Sequence, residues 1–361
     1  MLPCTESLPA AECPHGNGPV TVSVIVCTYN RAEMMREAVL SLADLHTDGA
    51  LSFEILIVNN ASTDDTEAVA REICEACQSV PVGYVFAAKP GVSAARNAGI
   101  AAARGEWIAF MDDDQIAHPQ WLTELLAAAK RRDVRCIGGV NRLRLSEGHA
   151  ARQLASSVQS LMGATPRLNN EVPYTRRDAP GAGNLLVHRS VFEEIGTFDE
   201  TLAAAGEDLD LYRRMWSRGI RAWCTPKAVT YHVVPAYRLE SAYLRWKCHR
   251  NGGHLARRDL CDRGLLRMAI NAALRMCQAA IVHLPTATWA GLTNNAEQLL
   301  GAKCLLWKAW GYVRYAAHYA VPRVFPQRRF LDWMDFRSER TAVAGTGPVT
   351  SSKGASTCRS M

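Results

Sequence analysis

The feature that most constrains this chain is an alternation, repeated four times between residues 20 and 122, of short strand-like runs with stretches of helical apolar spacing. Residues 20–28 (VTVSVIVCT) are dense in β-branched side chains and close at Tyr29, Asn30 and Arg31. Met35, Ala38, Val39 and Leu42 then form one stripe of a helix over 32–45. A second strand over 52–58 ends at Asn59 and Asn60, and Ser62, Thr63, Asp64 and Asp65 offer side-chain caps for a helix running towards Cys77. A strand over 80–87 and a helix over 91–103 follow, with Gly105 as the stop. Ile108, Ala109, Phe110 and Met111 suit a strand buried on both faces. The expected fold is therefore α/β, a Rossmann-like, mostly parallel sheet flanked by helices.

Ligands on such sheets bind beyond the carboxyl ends of the strands. That rule gathers Tyr29, Asn30, Asn59, Asn60 and the triplet Asp112, Asp113, Asp114 onto one rim. Three adjacent carboxylates repel one another unless donors, water or a cation neutralise them. A hard divalent ion, Mg²⁺ or Mn²⁺, with phosphate completing its shell is one solution. An acidic turn capping the helix near Pro119 is the other. No G-x-G-x-x-G or Walker A sequence follows the first strand, so the phosphates of any bound nucleotide would be held by metal and side chains.

A length of 361 residues and a net charge of +6 fit a folded protein of one large or two modest domains and do not demand nucleic acid. The 12 cysteines follow no framework, which suits reduced thiols in a cytosolic setting, and Cys74 and Cys77 form a C-x-x-C with no second pair nearby. Residues 1–18 carry Glu6 and Glu12 where a secretory signal would be positive, and are expected to be a flexible leader. No run reaches about 18 consecutive apolar residues, so no membrane span is expected, and residues 268–292 suit an interfacial or buried helix instead.

The ordered blocks VSVIVCTYNR, IVNNASTDDT, PGVSAARNAGIAAARGEWIAFMDDD and GAGNLLVHRSVFEEIG followed by GEDLDLYRR resemble those of glycosyltransferase family 2, over residues 20–235. The resemblance implies the GT-A fold, a nucleotide-sugar donor (UDP-, dTDP- or GDP-linked), a divalent metal and inversion at the anomeric carbon. By position it makes Asp113 the ribose or phosphate neighbour and Asp114 the metal ligand. Asp112 is the outer member of a D-x-D, shared between donor and metal. Tyr29 and Asn30 join the donor rim. The family commonly places an Asp near the end of the second strand to read the base, where this chain has Asn59-Asn60; Asn60 keeps the hydrogen-bonding capacity to do so, or serves only the turn. Arg96 matches an arginine beneath the donor, a solvated helix arginine being the alternative. Asp208 matches the catalytic base and Glu207 its support, against a plain capping pair. His232 matches a histidine that some relatives place near the metal, against a packed histidine. Gly181, Gly183 and Asn184 fall where relatives line the acceptor cleft.

Beyond residue 235 the resemblance fades and the acceptor side begins. Arg245 and Trp246 sit in an element like the Q-x-x-R-W of processive synthases, with Ala242 in the Gln position. Arg245, Lys247, His249, Arg250, Arg257 and Arg258 form a basic neighbourhood suited to a lipid-linked diphosphate, to an anionic membrane surface or simply to solvent. The expected organisation is leader 1–18, catalytic domain 19–238, a helical acceptor or membrane-surface region 239–336, and a disordered Gly/Ser/Thr-rich tail 337–361. The expected function is transfer of a sugar to a glycan or lipid-linked acceptor in cell-envelope assembly, in the cytoplasm and peripheral to the membrane. A sugar-1-phosphate nucleotidyltransferase, or a silent nucleotide-sugar-binding subunit, are the alternatives.

Overall fold

A computed structural model describes residues 18–325 except 48, 50, 146–153, 177 and 203–205. The expected leader, apart from Gly18, and the expected tail lie outside the described residues. Four strands, β1 (Val22–Thr28), β2 (Phe53–Asn59), β3 (Val82–Phe86) and β4 (Trp107–Asp112), alternate with α1 (Ala32–Ala43), α2 (Thr66–Ala76) and α3 (Val92–Ala102). Then come β5 (Gln115–Ala117), α4 (Trp121–Arg132), β6 (Cys136–Leu145), α5 (Ser156–Leu161), β7 (Val172–Pro173) and β8 (Asn184–His188). The elements α6 (Arg189–Ile195), α7 (Glu207–Ser217) and β9 (Trp223–Val234) complete the sheet region.

The sheet runs β3-β2-β1-β4-β8-β6-β9-β5. Its first four strands are mutually parallel, as the alternation predicts, whereas β8 joins β4 antiparallel and β5 joins β9 antiparallel. Strict pleat alternation divides the core between two faces. Val24 and Val26 pack with α1, α2 and α4, while Ile25 faces α3 and α7. Nearly every β1, β2 and β4 side chain is buried, which is why these runs are continuously apolar.

After a 3-10 turn, Ala236–Leu239, the chain enters α8 (Ser241–Gln278), bent at Gly264, whose φ of 77° is left-handed. A π-helical segment, Ala279–His283, leads into α9 (Leu284–Leu292), and α10 (Ala296–Ala320) returns along α8. Tyr312 of α10 is fully buried against Ala256 and Met268. Leu244, Cys248 and Cys304 share a core with Val158 and Leu161 of α5 and Val234 of β9, so the helical region is continuous with the sheet region. The stretch Ser241–Leu292 contains a segment that is apolar on average although charged and polar residues interrupt it, and almost none of that segment is buried. Counting uninterrupted apolar residues missed this. By length and composition the stretch is able to cross a membrane.

Candidate active site

Strand β4 delivers Asp112, Asp113 and Asp114 to the carboxyl rim of the parallel strands, and the three carboxylates meet different neighbours. Asp113 is 5% exposed and turned inward, where Arg31 donates to its Oδ1 over 2.6 Å. Burial raises its carboxyl above the ordinary value and Arg31 opposes that. Asp113, the expected ribose or phosphate neighbour, is thus paired with the residue that closes β1.

Asp114 Oδ2 is surrounded by two guanidiniums and an imidazole: Arg31 Nη1 at 3.2 Å, Arg238 Nη1 at 3.3 Å and His232 Nε2 at 3.4 Å. Burial alone would raise this carboxyl, yet His232, Arg31 and Arg238 hold it far below the usual carboxylate range. His232 arrives through strand register, since it pairs directly with Gln115 across β5 and β9. Its Nδ1 lies 2.7 Å from the Met162 carbonyl, which only accepts, so Nδ1 carries the proton. Its Nε2 then faces Asp114 Oδ2 at 3.4 Å and Arg238 Nη1 at 3.2 Å. This is the ring orientation of a metal-ligating histidine, held by a backbone carbonyl on its far side. Among the described residues no three His, Cys, Asp or Glu side chains converge as a metal cage.

Asp112 stays partly open, and Arg96 links it to the second acidic cluster. Arg96 is 7% exposed, with Nη1 at 3.0 Å from Asp208 and 3.1 Å from Glu207, and Nη2 at 3.8 Å from Asp112. Its guanidinium also stands over the Phe198 ring, 5.2 Å from the centroid. Arg96 therefore bridges two carboxylate clusters almost a hundred residues apart in sequence, and is not the solvated helix arginine. Burial raises the Asp208 carboxyl and Arg96 pulls it back. Glu207 and Asp208 open α7 behind Gly206, where a helix N-terminus favours negative charge.

The segment 181–184 runs between the clusters. A Cβ on Gly181 would stand 4.0 Å from Asp208 Oδ2, and one on Gly183 would collide with Asp112 Oδ2. Gly183 thus lines the site by lacking a side chain. Asn184, expected to line the acceptor cleft, is 4% exposed and corrects that expectation. It accepts from Trp121 Nε1 and donates to the Val140 carbonyl, tying β8 to α4 and β6.

The asparagines have organising contacts. Asn60 Nδ2 donates to the Ala87 and Lys89 carbonyls and Oδ1 accepts from Gly91 N, fixing the turn into α3 and filling the polar positions a base would need. Asn30, at φ 51°, accepts from Thr63 N, and its own N–H donates to Ser62 Oγ. Ser62 and Thr63 therefore bind the β1 turn instead of capping α2, where Asp64 receives Thr66 N. Tyr29 is exposed on the rim. Arg245 is exposed on α8, and Trp246 packs beside Tyr243 with ring centroids 5.5 Å apart, among the residues of the α5–α8–α10 core.

Sequence reasoning missed Arg238. It lies in a four-residue 3-10 turn with no periodicity to mark it, and reaches Asp114 across 124 positions. Lys247 belongs with it: burial, then Arg238 beside it, pushes its ammonium down to about 8.

Residues 23–196 match the family model for glycosyl transferase family 2. The chain is 28% identical over 186 residues to glycosyltransferase AglE of Haloferax volcanii, covering 52% of this chain and 58% of AglE. It is 26% identical over 263 residues to the succinoglycan biosynthesis protein ExoM of Rhizobium meliloti, covering 72% of this chain and 81% of ExoM. The match to AglE thus spans less than two thirds of that protein. Among solved structures, the mannosyltransferase PcManGT from Pyrobaculum calidifontis, in complex with GDP-Man and Mn²⁺, superposes with a TM-score of 0.56 at 18% identity, over 87% of this chain and 91% of that one. That likeness is one of fold, and it extends beyond the family match into the C-terminal helices.

Proposed function

The chain belongs to glycosyl transferase family 2, and from that premise we propose that it is an inverting, metal-assisted glycosyltransferase. It moves a sugar from a nucleoside-diphosphate sugar to a glycan or lipid-linked acceptor in polysaccharide or glycolipid assembly. What carries the reading is the bridge made by Arg96 between Asp112 at the end of β4 and Glu207–Asp208 at the start of α7. Inverting transfer needs a carboxylate on the acceptor side and a diphosphate site facing it, with the anomeric carbon between them.

In this reading Asp208 takes the proton of the acceptor hydroxyl as the new C–O bond forms and the bond to the diphosphate breaks. Glu207 and Arg96 orient it, and the Arg96 charge favours its ionised form. Asp114 and His232 are the metal-holding pair, with Asp112 as the outer donor. The His232 ring orientation fits that role, and so does the charge: among the described residues, Asp112, Asp113, Asp114, Glu207 and Asp208 meet Arg31, Arg96, Arg238, Lys247 and the His232 ring, before a diphosphate adds more negative charge. A bound Mg²⁺ or Mn²⁺ would supply Lewis-acid neutralisation of the departing nucleoside diphosphate, with phosphate and water completing its shell. The GDP-Man and Mn²⁺ held by PcManGT and the succinoglycan role in ExoM's name support donor, metal and setting. Tyr29 and Asn30 stay on the donor rim, with Asn60 shaping the turn beneath it.

The same reading places the protein in the cytoplasm, against the inner face of the membrane. Leu266, Leu274, Ile281, Leu284 and Leu292 are all more than half exposed, and residues 241–320 hold eleven Lys and Arg against three Asp and Glu. Exposed apolar side chains among cations suit a helix lying at an anionic lipid interface. The deciding experiment measures nucleoside diphosphate release from UDP-, dTDP- and GDP-sugars with and without Mn²⁺. Metal-dependent release from one donor class is expected. Release of pyrophosphate would select a nucleotidyltransferase instead, and no release from any donor would point to a silent subunit.

A further inference from the structure

A second site lies beside the first, between α7, α8 and α10. It is a cavity of about 710 Å³. One wall is the α7 face of Gly206, Leu209 and Arg213, and the opposite wall carries His254, Arg257 and Arg258 of α8, with Lys308 of α10. The cations there are unevenly matched. Arg213 is paired with Asp262 at 2.5 Å, and Asp210 with Arg214 at 2.8 Å. Arg257, Arg258 and Lys308 make no ion pair within 4.0 Å among the described residues. Other cations stand close by: burial, then Arg275 and Arg258, depress Lys308, and burial, then Arg250 and Arg257, depress His254. His254 Nε2 lies 3.3 Å from Arg250 Nε, which donates to it, so the imidazole is neutral and adds no charge of its own. Lys308 is partly buried while Arg257 and Arg258 reach solvent, so the cavity offers three cations with no carboxylate bound to them among the described residues, a setting that favours an anion. Leu202, Leu209 and Leu255 give the same cavity an apolar side.

We infer that this cavity is the acceptor site and that it takes an acceptor bearing a phosphate or diphosphate group, bound by Arg257, Arg258 and Lys308. The inference rests on the proposed transferase reading and names its acceptor class. Gly206, on the cavity wall, immediately precedes Glu207 and Asp208 in the chain. The cavity therefore borders the N-terminal end of the helix that carries the base. The close α8–α10 crossing that holds Lys308 beside Arg258 is built by glycine: a Cβ on Gly252 would collide with the Lys308 carbonyl. The anion is a lipid-carrier diphosphate or the phosphate of a soluble glycan. Arginine recognises both through the same charge-assisted hydrogen bonds.

The test uses the full chain and two probes in metal-free buffer, geranyl diphosphate and glycerol phosphate, titrated calorimetrically into wild type and into the double variant R257Q/R258Q. Both arginines are exposed, so the variant is expected to fold, and R267Q, exposed on the same helix outside the cavity wall, controls for lost charge. Binding of at least one probe is expected, weakened about tenfold or more in the double variant and unchanged in R267Q. Preference for geranyl diphosphate identifies the lipid source, and equal or better binding of glycerol phosphate the soluble one. In transfer assays the double variant should raise KM for a phosphorylated acceptor while leaving KM for the donor unchanged. Failure of wild type to bind either probe, or equal binding by the double variant, overturns the inference. Transfer failing for every nucleotide sugar while the probes still bind overturns only the transferase reading.

Discussion

Asp208 and Arg96, 3.0 Å apart, are where a single charge matters most. Asp208→Asn is expected to leave donor affinity intact and to lower turnover by about 10²–10⁴, read from equilibrium donor binding beside initial rates; near-normal turnover would remove Asp208 as the base. The sign of the pH effect follows from the contacts. Burial raises the carboxyl and Arg96 opposes, so a base that works ionised loses activity as pH falls through that raised value. Removing the opposing charge in Arg96→Gln should move this acid limb to higher pH, and an unmoved limb would show that Arg96 does not set it. At the other cluster, Asp114→Ala should abolish the metal dependence of donor binding. His232→Gln should weaken it, because the amide cannot offer the ring nitrogen that faces Asp114. An unchanged Mn²⁺ titration in both variants would count against the pair. The carboxylates themselves were legible in the sequence, since three in a row at a strand end demand compensation. Their compensators were not: Arg238 is one arginine among many, and only the 3.3 Å contact distinguishes it.

Among the elements, two close fits decide the architecture of the site. The antiparallel pairing of β5 with β9 sets Gln115 opposite His232, and a one-residue slip would turn His232 to the other face. The α8–α10 crossing relies on Gly252 and Gly311, where an added Cβ would lie 2.5 Å from Tyr312 N and 2.5 Å from the His249 carbonyl, respectively. Backbone cannot yield as a side chain tip can. Gly252→Ala and Gly311→Ala should each therefore cost about 1–3 kcal/mol or more, seen as a lowered Tm. Gly291→Ala, with no heavy atom within 4 Å of the new Cβ, should be neutral or gain up to about 1 kcal/mol of helix propensity. Equal effects at all three positions would contradict the close-crossing account. The sequence marks glycines without saying which ones let backbones approach, because that depends on a partner helix about 60 residues away.

The whole molecule carries its charge unevenly, with residues 241–320 at a net +8 in a chain whose total is +6. Co-sedimentation with vesicles of phosphatidylcholine and phosphatidylglycerol should pull the protein down more strongly as the anionic fraction rises. Replacing Leu266, Ile281 and Leu292 with Gln should release it, while retention of the triple variant would argue for a charge-only or protein-mediated attachment. What the sequence by itself determined was the order of strands and helices through β4, the rim on which Asp112–Asp114 stand and the carboxylate pair at 207–208. The first two follow from local periodicity and from three adjacent carboxylates, which a linear chain records directly, and the third from the resemblance of GEDLDLYRR to a family block. The tertiary structure alone decided that Arg96 joins the two acidic clusters and that Asn184 is a core hinge-pin between β8, β6 and α4. It also decided that Arg238 and His232 meet on Asp114, and that α7, α8 and α10 enclose a cationic cavity. Each of those depends on the antiparallel strands after β4 and on helix crossings, whose partners are set by packing complementarity over long separations and leave no local pattern to read.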